Sequence, residues 1–467
     1  MKMQYKSIVG GAVCVMLSLN ACVQQKYSRP QADMAGLYRD MSSADTSTIA
    51  DMPWQGLFKD VKLQALIKTA LVQNIDLKQA IERMHIAEAN LKQSRAAFLP
   101  SLQVDLSAAD ARQSKASLNL LSGANTKTET QNYKMQFNAS WEIDIWGKLN
   151  SSKRAAYASW LQSDAAKRAV QTQLIANIAN SYYTLLCLDK QLSITKLTIK
   201  SRRENVEAMK SLKDAGRVTG ASVVQSEASL YAAEVTVPDL ERSIRETEHI
   251  LQLLLANPPA AIDRSSLDSQ KMDNTLHTGI PAQLLENRPD VQAAELAFRA
   301  AFENTLAAKR NFYPSITLTA NGGLSSLQLK DFFDQSVFYN FIGGLTQPIF
   351  AKGQNKMRLK TAQAQQNIAL GNFKQSLLNA GSEVSDALYS YQAAVQKQAI
   401  RMKQIASLKK AVDFTQELLR YSSTTNYTDV LTSEQGLLSA QLSETTDRLQ
   451  QLQALVNLYR ALGGGWK

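Results

Sequence analysis

Few residues of this chain have the types and spacing that catalysis or metal binding requires. The three histidines, His85, His249 and His277, lie far apart, and no cysteine or second histidine stands at ligand spacing from them. We expect them at the surface. The sequence has no GxxxxGKS or GxxxxGKT phosphate-binding loop, no G-x-S-x-G elbow, and no nucleophile–base constellation of a hydrolase. We therefore predict that the protein is not an enzyme and binds no metal or other dissociable cofactor.

The thiol of Cys22 is the exception, because its setting predicts lipid attachment. Two lysines precede an apolar run that ends in Leu19-Asn20-Ala21-Cys22. Such a start is typical of an export signal, and the run is shorter than the ~20 residues that cross a bilayer. The tetrapeptide resembles a bacterial lipobox. It predicts that residues 1–21 are removed and that acyl chains on Cys22 anchor the protein stably to a membrane.

Charge and the other cysteines agree with export. The chain has 52 basic and 41 acidic residues, a net charge of +11. No basic cluster is interleaved with aromatic residues, so we expect charge spread over a solvated surface and no nucleic-acid partner. Cys14 leaves with the signal and Cys22 is acylated. Cys187 then has no partner, and its apolar neighbours predict a buried side chain.

The sequence contains an internal duplication. The segment 76–80 aligns without gaps on the segment 290–294, and a Pro-Ser break follows both segments at the same distance. Two copies of one structural unit produce such a pattern. The predicted divisions are an N-terminal lipid-anchored extended segment at residues 22–60, a first repeat at 61–260 and a second repeat at 261–467.

Each repeat is predicted to contain a helix, two strands, a very long helix, a turn and a return helix. Between Gly147 and Lys213 there is no proline or internal glycine, and apolar residues recur every seven positions, as in a coiled-coil seam. Such a helix reaches about 100 Å. Pro238 predicts a kink in the first return helix. The predicted ranges are strands 99–110 and 131–146, long helix 147–213 and return helix 221–257 in the first repeat, and helix 282–312, strands 313–324 and 336–350, long helix 353–421 and return helix 428–462 in the second.

The strands have one apolar and one polar face. From Tyr133 to Ile145 every odd-numbered residue is apolar, and the even-numbered residues are polar or charged. A strand half buried on a soluble core has the same pattern. The export signal, aromatic residues near the strand ends and lengths near the ~9–11 residues that span a bilayer favour a membrane β-barrel.

Four strands cannot close a barrel in lipid, so several copies must contribute strands to one wall. Two copies would give eight strands, whose interior side chains fill, whereas three would give twelve strands and begin to leave a lumen. The predicted fold is therefore mainly α with a transmembrane β-barrel, in which an internally duplicated protomer forms a homotrimer.

The turns between long and return helices are the other place where side chains could act. Gly216 and Gly220 predict a tight reversal, and Ser222 and Thr428 are predicted N-caps of the return helices. Asp429 then lies in a first helical turn, where the helix dipole favours a carboxylate. Alternatively, three copies of Asp429 around a threefold axis form an anionic ring that selects cations.

Several motifs together resemble the outer-membrane efflux protein family, the TolC-like proteins and especially the OprM/NodT-like lipoproteins. The resemblance covers essentially the whole mature chain, in the right order. It is carried by the lipobox Cys22, by Trp141-Glu142-Ile143-Asp144-Ile145-Trp146-Gly147-Lys148, by Arg288-Pro289-Asp290-Val291, by Asn311-Phe312-Tyr313-Pro314, and by the ending from Asn457 to Trp466.

This resemblance implies a homotrimer with a twelve-stranded barrel in the outer membrane and a long α-helical barrel in the periplasm. Such a duct is a passive exit, and it docks onto a periplasmic adaptor (membrane fusion) protein and an inner-membrane pump of the RND type, which supplies the energy. Drugs, other toxic compounds and metal ions are all possible substrates. Without the family resemblance, the sequence also allows an alternative to a duct. This alternative is a coiled-coil envelope lipoprotein that acts as a scaffold and conducts nothing.

The resemblance also implies that the turns form a periplasmic tip that is closed at rest. Arg420 and Tyr421 match positions that hold such a tip shut, although ordinary helix C-terminal residues have the same types. Where TolC-like tips often carry a second aspartate, this chain has Thr432, so a second acidic ring is not expected. The predicted tip and gate residues are Arg420, Tyr421, Tyr427, Thr428, Asp429 and Thr432, and the predicted tip-turn and adaptor-docking residues are Gly216, Arg217, Gly220, Ser222 and Asn426.

Overall fold

The computed structural model describes residues 26–30, 37–38, 48–114, 128–270, 283–421 and 427–467. The predicted signal, Cys22, His277 and Asn426 lie outside these ranges, and so does the side chain of Arg420. The chain divides into two compact units. We call them the sheet unit, formed by the N-terminal residues to Gln31 with His85–Gln162 and Glu295–Asn372, and the helix unit, formed by Ala32–Met84, Ser163–Ala294 and Phe373–Lys467.

Helices dominate the described chain. Their bounds are α1 Val61–Gln73, α2 Ile75–Ala96, α3 Lys148–Asp214, α4 Gly220–Glu234, α5 Thr236–Leu254, α6 Pro289–Arg310, α7 Gln354–Tyr421 and α8 Tyr427–Ala461. Short helical turns lie at Ile49–Asp51, Trp54–Leu57, Leu267–Ser269, Leu284–Asn287 and Leu329–Asp331. Among these helices none combines the length and apolarity needed to cross a membrane.

The first return helix is divided into α4 and α5 at Val235. Pro238 lies in the first turn of α5, where its missing N–H is tolerated, and its ring is incompatible with continued helical bonding to the carbonyl of Glu234. The second return helix, α8, has no proline and is continuous. The single proline therefore accounts for this difference between the repeats.

The four strands form one antiparallel sheet in the order β1-β2-β3-β4. The strands are β1 Ser101–Arg112, β2 Glu129–Ile143, β3 Ser315–Ser326 and β4 Val337–Thr346. Two of them end earlier than the sequence predicts. Strand β2 ends at Ile143 because the Asp144 carboxylate accepts hydrogen bonds from the Leu149 and Asn150 amides and so caps α3. Strand β4 ends before Pro348, which cannot donate to a ladder.

The core of the helix unit contains the predicted seven-residue seams. Ile178 and Leu185 of α3 and Val384 of α7 have no exposed side-chain surface. At these positions the seams pack helix against helix within one chain. Cys187 is also buried, and burial raises the pKa of its thiol.

Candidate functional site: an open sheet and two helix reversals

The sheet of one chain carries a continuous apolar face. Directly opposite residues of antiparallel strands share a face, so the register aligns rows of side chains across all four strands. The apolar rows are Leu102–Ala139–Ala320–Phe341, Val104–Phe137–Gly322–Tyr339 and Leu106–Met135–Leu324–Val337. Leu106, Tyr339 and Phe341 are 75%, 79% and 77% exposed. A contiguous apolar face of this kind needs a lipid or protein cover.

The opposite face of the sheet is mostly polar and internally hydrogen-bonded, although Phe338 and Ile342 of β4 also lie on it. One of its rows is Gln103–Asn138–Asn321–Asn340. The amide of Gln103 donates to Asp105 Oδ1 at 2.8 Å, and the amide of Asn138 also donates to Asp105. The sheet therefore separates an apolar from a wet environment, which is the pattern of a transmembrane barrel wall.

The outer edges of the sheet, β1 and β4, each pair on one side only within the described residues. An edge strand presents a row of backbone N–H and C=O groups without partners. Lipid cannot supply those partners, so a membrane sheet must close on itself. The four strands of one chain are consequently an incomplete wall.

Aromatic side chains mark the end of the sheet nearest the helices. The Trp146 indole donates to the carbonyl of Pro314 at 2.6 Å, and its ring stacks on Tyr313 with centroids 5.3 Å apart. The Trp141 indole donates to the carbonyl of Phe98 at 2.8 Å. Rings with one apolar body and one satisfied polar atom suit the boundary between hydrocarbon and water.

The first helix reversal is a Schellman motif. The Gly216 amide donates to the Lys213 carbonyl at 2.8 Å, and the Arg217 amide donates to the Leu212 carbonyl at 2.9 Å. Gly216 has φ +72°, a conformation that a side chain disfavours. Arg217 is exposed at the turn.

The predicted N-cap Ser222 is wrong, because Thr219 caps α4. The Thr219 hydroxyl accepts from the Ser222 amide, so Ser222 lies inside the first turn. Gly220 is the first helical residue and does not have a positive φ. Threonine and serine both cap helices well, so the residue types alone did not separate the two positions.

The second reversal joins α7 to α8, and the structure describes the residues on either side of 422–426. Helix α8 begins at Tyr427, so Thr428 is a helical residue and the prediction of Thr428 as N-cap is wrong. Asp429 lies in the first turn, as predicted, and is exposed without an ion pair among the described residues. The hydroxyl of Thr432 donates to the Thr428 carbonyl at 2.8 Å and is thus directed to its own helix. Tyr421, the last described residue of α7, is 85% exposed.

The two reversals pack against each other around Tyr427. This tip cluster comprises Met209, Val223, Tyr427 and Val430, with Leu212, Leu419 and Leu431 packed against it. The Tyr427 ring is 4% exposed, and its hydroxyl is hydrogen-bonded to Ser226. Burial raises the pKa of Tyr427. One chain therefore holds its two reversals together with a small core of its own.

Sequence reasoning missed a polar cluster behind the tip cluster. The guanidinium of Arg202 is buried and donates to the Ser229 carbonyl at 2.5 Å and to Gln435 Oε1 at 2.8 Å. The carboxylate of Glu434 accepts from Asn205 at 2.7 Å and from Gln416 at 3.0 Å. The bonds from Arg202 to Gln435 and from Asn205 to Glu434 link the two repeats. Arg202 and Gln435 are more than 200 positions apart in the sequence, so no local sequence pattern predicts their contact.

The described residues contain no group of three or more metal-binding side chains. His85 and His249 are exposed. The arrangement as a whole is thus a wall with two distinct faces and a pair of packed helix reversals.

Comparison with known proteins agrees with this arrangement. The chain matches the family described as "Outer membrane efflux protein" over residues 66–257 and 280–464. It is 31% identical to the probable efflux pump outer membrane protein SepC of Pseudomonas putida, covering 100% of this chain and 98% of that protein. It is 28% identical to the cation efflux system protein CusC of Escherichia coli, covering 97% of this chain and 98% of that protein.

Solved structures show the same fold. The open-state MtrE outer membrane channel of Neisseria gonorrhoeae superposes with a TM-score of 0.84 at 27% identity, over 96% of this chain and 99% of that chain. The predicted fold class and function are confirmed by these likenesses. The chain belongs to the outer membrane efflux protein family, as the outer-membrane component of an efflux system.

Proposed function

We propose that three copies of this chain close a twelve-stranded barrel and act as a passive exit duct for small molecules. The open four-stranded sheet, with one bare apolar face and one polar face, is the observation that carries this proposal. Closing the barrel pairs β4 of one copy with β1 of the next and leaves no edge in lipid. Two copies would leave no lumen, whereas three begin to open one.

The proposed partners follow from two observations. The sequence has no phosphate-binding loop that could energise transport, and the chain belongs to the outer membrane efflux protein family. The duct receives its cargo from a periplasmic adaptor protein and an inner-membrane pump of the RND type, and that pump supplies the energy. The duct itself acts without enzymatic activity. Acyl chains on Cys22 anchor each copy to outer-membrane lipid, and the long helices with their return helices form the periplasmic barrel.

The cargo is a set of small molecules, either drugs and other toxic compounds or metal ions. One relative is named as a cation efflux protein and another as an efflux pump component without a stated substrate. An exit duct need not bind what it passes, so its lining does not decide between them.

The helix reversals are the proposed periplasmic tip. Tyr427 holds the tip of each chain together from inside. Asp429 and Tyr421, which are exposed in one chain, are free to meet the neighbouring copies, Asp429 as an anionic ring and Tyr421 as a closing contact. The exposed turn at Arg217 and Gly220 is a surface for the adaptor.

Reconstitution in planar bilayers tests the duct. The purified oligomer should give discrete, low conductance, because the tip is closed at rest. Heat-dissociated monomer from the same preparation is the matched control and should give none. A scaffold lipoprotein would give no conductance in either form, and a stable monomer in detergent would overturn the shared barrel.

A further inference from the structure

The sheet unit contains a cationic cavity of about 860 Å³ beside the ends of β1 and β2. It is lined by Phe98, which precedes β1, and by Ile145 and Trp146, which follow β2. The five cationic residues that line it are Lys26, Lys153, Arg154, Arg299 and Arg310.

Only two carboxylates line the cavity, and both have other partners. Asp144 accepts from the amides of Leu149 and Asn150 at 3.0 and 2.8 Å. Glu303 accepts from Arg154 Nε at 2.9 Å and from the Ser151 hydroxyl at 3.2 Å. Five positive and two negative groups leave an excess of three positive charges in the lining.

Two of the other lining cations have no anionic partner among the described residues. Lys153 lies over the Phe98 ring with its Nζ 5.0 Å from the centroid, and Arg299 lies 5.5 Å from the centroid of Tyr27. Neither forms an ion pair within the described chain, and the buried Nε of Arg299 has no hydrogen-bond partner there. A buried donor without an acceptor is costly, and an anion with several oxygens would supply acceptors.

The side chain of Arg310 is held in the lining of the cavity by a hydrogen bond to the backbone. It is 7% exposed, and its Nη1 donates to the Gly147 carbonyl at 2.6 Å. Burial lowers the pKa of this guanidinium, and the positive charge of Arg154 lowers it further. Gly147 has φ +76°, and a side chain there would meet the guanidinium at 3.3 Å. The backbone is thus shaped to hold Arg310 in place.

The position of the cavity points to lipid. It adjoins the Trp146–Tyr313 pair at the end of the sheet, where the apolar face begins. Lys26 follows the acylation site Cys22 by four residues, which span at most about 14 Å in any conformation. An acyl chain on Cys22 would therefore keep the cavity near the surface of the leaflet that holds the anchor.

We propose that this cavity binds the phosphate group of an anionic phospholipid, whose acyl chains extend along the apolar face of the sheet. Lys153 and Arg299 supply charge-assisted hydrogen bonds to the phosphate oxygens, and Phe98 and Trp146 contact the glycerol region. The placement at a membrane surface rests on the proposed barrel. The chemistry recognised is a phosphate ester, and the lipid is its source because the anchor and the apolar face are adjacent.

The test measures lipid binding to the acylated, purified oligomer after exchange into detergent. The probes are phosphatidylglycerol, phosphatidylcholine and inorganic phosphate, and native mass spectrometry counts the bound lipid. The wild-type protein should retain phosphatidylglycerol in preference to phosphatidylcholine. The double variant Lys153→Gln/Arg299→Gln should bind phosphatidylglycerol roughly tenfold more weakly.

The control variant is Arg112→Gln/Lys330→Gln, which removes the same charge at the end of the sheet away from the cavity. It should bind phosphatidylglycerol within about twofold of the wild type, since neither residue lines the cavity. If both double variants bound phosphatidylglycerol equally weakly, the loss of affinity would follow from net charge alone. That result would overturn the proposed site. Equal retention of both lipids by the wild type would overturn it as well.

Inorganic phosphate distinguishes the two sources. If millimolar phosphate displaces the lipid completely and binds with the same dependence on Lys153 and Arg299, the cavity is a soluble-phosphate site and the lipid proposal fails. Conductance of the same preparations is recorded separately. Loss of lipid selectivity in a conducting oligomer overturns this inference alone, whereas absence of conductance counts against the duct.

Discussion

The two units of this chain differ in how much of their apolar surface one copy can cover. In the helix unit the seam residues Ile178, Leu185 and Val384 are buried, and the tip cluster covers Tyr427. In the sheet unit whole rows of apolar side chains, including Leu106 and Phe341, remain exposed. The helix unit thus builds a buried core from its own chain, whereas the apolar rows of the sheet unit require lipid and further copies.

This difference assigns separate physical tasks to the two parts of the sequence. The edge strands of the sheet can pair only with strands of neighbouring copies. Because open edges are not tolerated in lipid, we expect membrane insertion and oligomerisation to be coupled. A helix reversal with its own small core can change its contacts to neighbours without unfolding. Changes in the sheet should therefore affect assembly, and changes at the reversals should affect gating.

The largest expected effect comes from a charge on the apolar face. Val104→Arg places a guanidinium in the row Val104–Phe137–Gly322–Tyr339, which faces lipid in the proposed barrel. Such a charge costs about 2–4 kcal/mol at mid-membrane, and a trimer contains three copies. We expect the outer membrane to contain little or no assembled oligomer, as measured by the heat-dissociable band on gels.

Gln103→Arg is the matched control, because the adjacent residue carries the same new charge on the polar face. It should assemble at the wild-type level and change only ion selectivity. If both variants assembled equally well, the two faces would have the same environment, and the contrast between the sheet and helix units would fail.

The second effect is located in the tip cluster. Tyr427→Ala removes a ring that is 4% exposed and should destabilise the packing of the reversals by about 3–5 kcal/mol. Assembly should persist, because the sheet is unaffected. We expect higher conductance in planar bilayers and faster hydrogen exchange in the first turns of α4 and α8.

Tyr427→Phe separates packing from hydrogen bonding. This variant keeps the ring and loses only the bond to Ser226, so a loss of about 1 kcal/mol and near-normal conductance are expected. A Tyr427→Ala protein that failed to reach the outer membrane would show that the reversals contribute to assembly. This result would contradict the assignment of assembly to the sheet and gating to the reversals.

The sequence predicts the faces of the sheet better than the details of the reversals. Alternation from Tyr133 to Ile145 determines which side chains share a face, because the strand period is two. The N-cap of a helix is harder to predict, because several nearby hydroxyl groups could accept the hydrogen bond. Local geometry makes Thr219 the cap of α4 and places Ser222 inside the first turn. The fit of Arg202 against Gln435 depends on the packing of two distant helices. The cavity lined by Arg310 likewise combines residues from four separate stretches of the chain.

A smaller effect is expected at the first reversal. Gly216→Ala forces a side chain into φ +72°, which costs about 1–2 kcal/mol. Gly220→Ala is the control, since Gly220 begins a helix and a methyl group there meets nothing within 4 Å. Thermal unfolding of the helix signal should show a lower midpoint for Gly216→Ala and an equal or higher midpoint for Gly220→Ala. The reverse order would contradict the Schellman turn.

The smallest effect concerns Asp429, whose carboxylate is exposed in one chain and paired only through symmetry in the proposed trimer. Three unit charges at about 10 Å from an ion in water contribute about 1.2 kcal/mol before screening. Salt reduces this value, so Asp429→Asn should lower the cation-to-anion permeability ratio by roughly two- to fivefold. Reversal potentials in a salt gradient measure the ratio. Asp239→Asn on α5, an exposed residue that pairs with Arg242 away from the reversals, should leave it unchanged. If Asp429 acts only on its own helix dipole, its variant will lose stability by a few tenths of a kcal/mol to about 1 kcal/mol and keep the wild-type ratio.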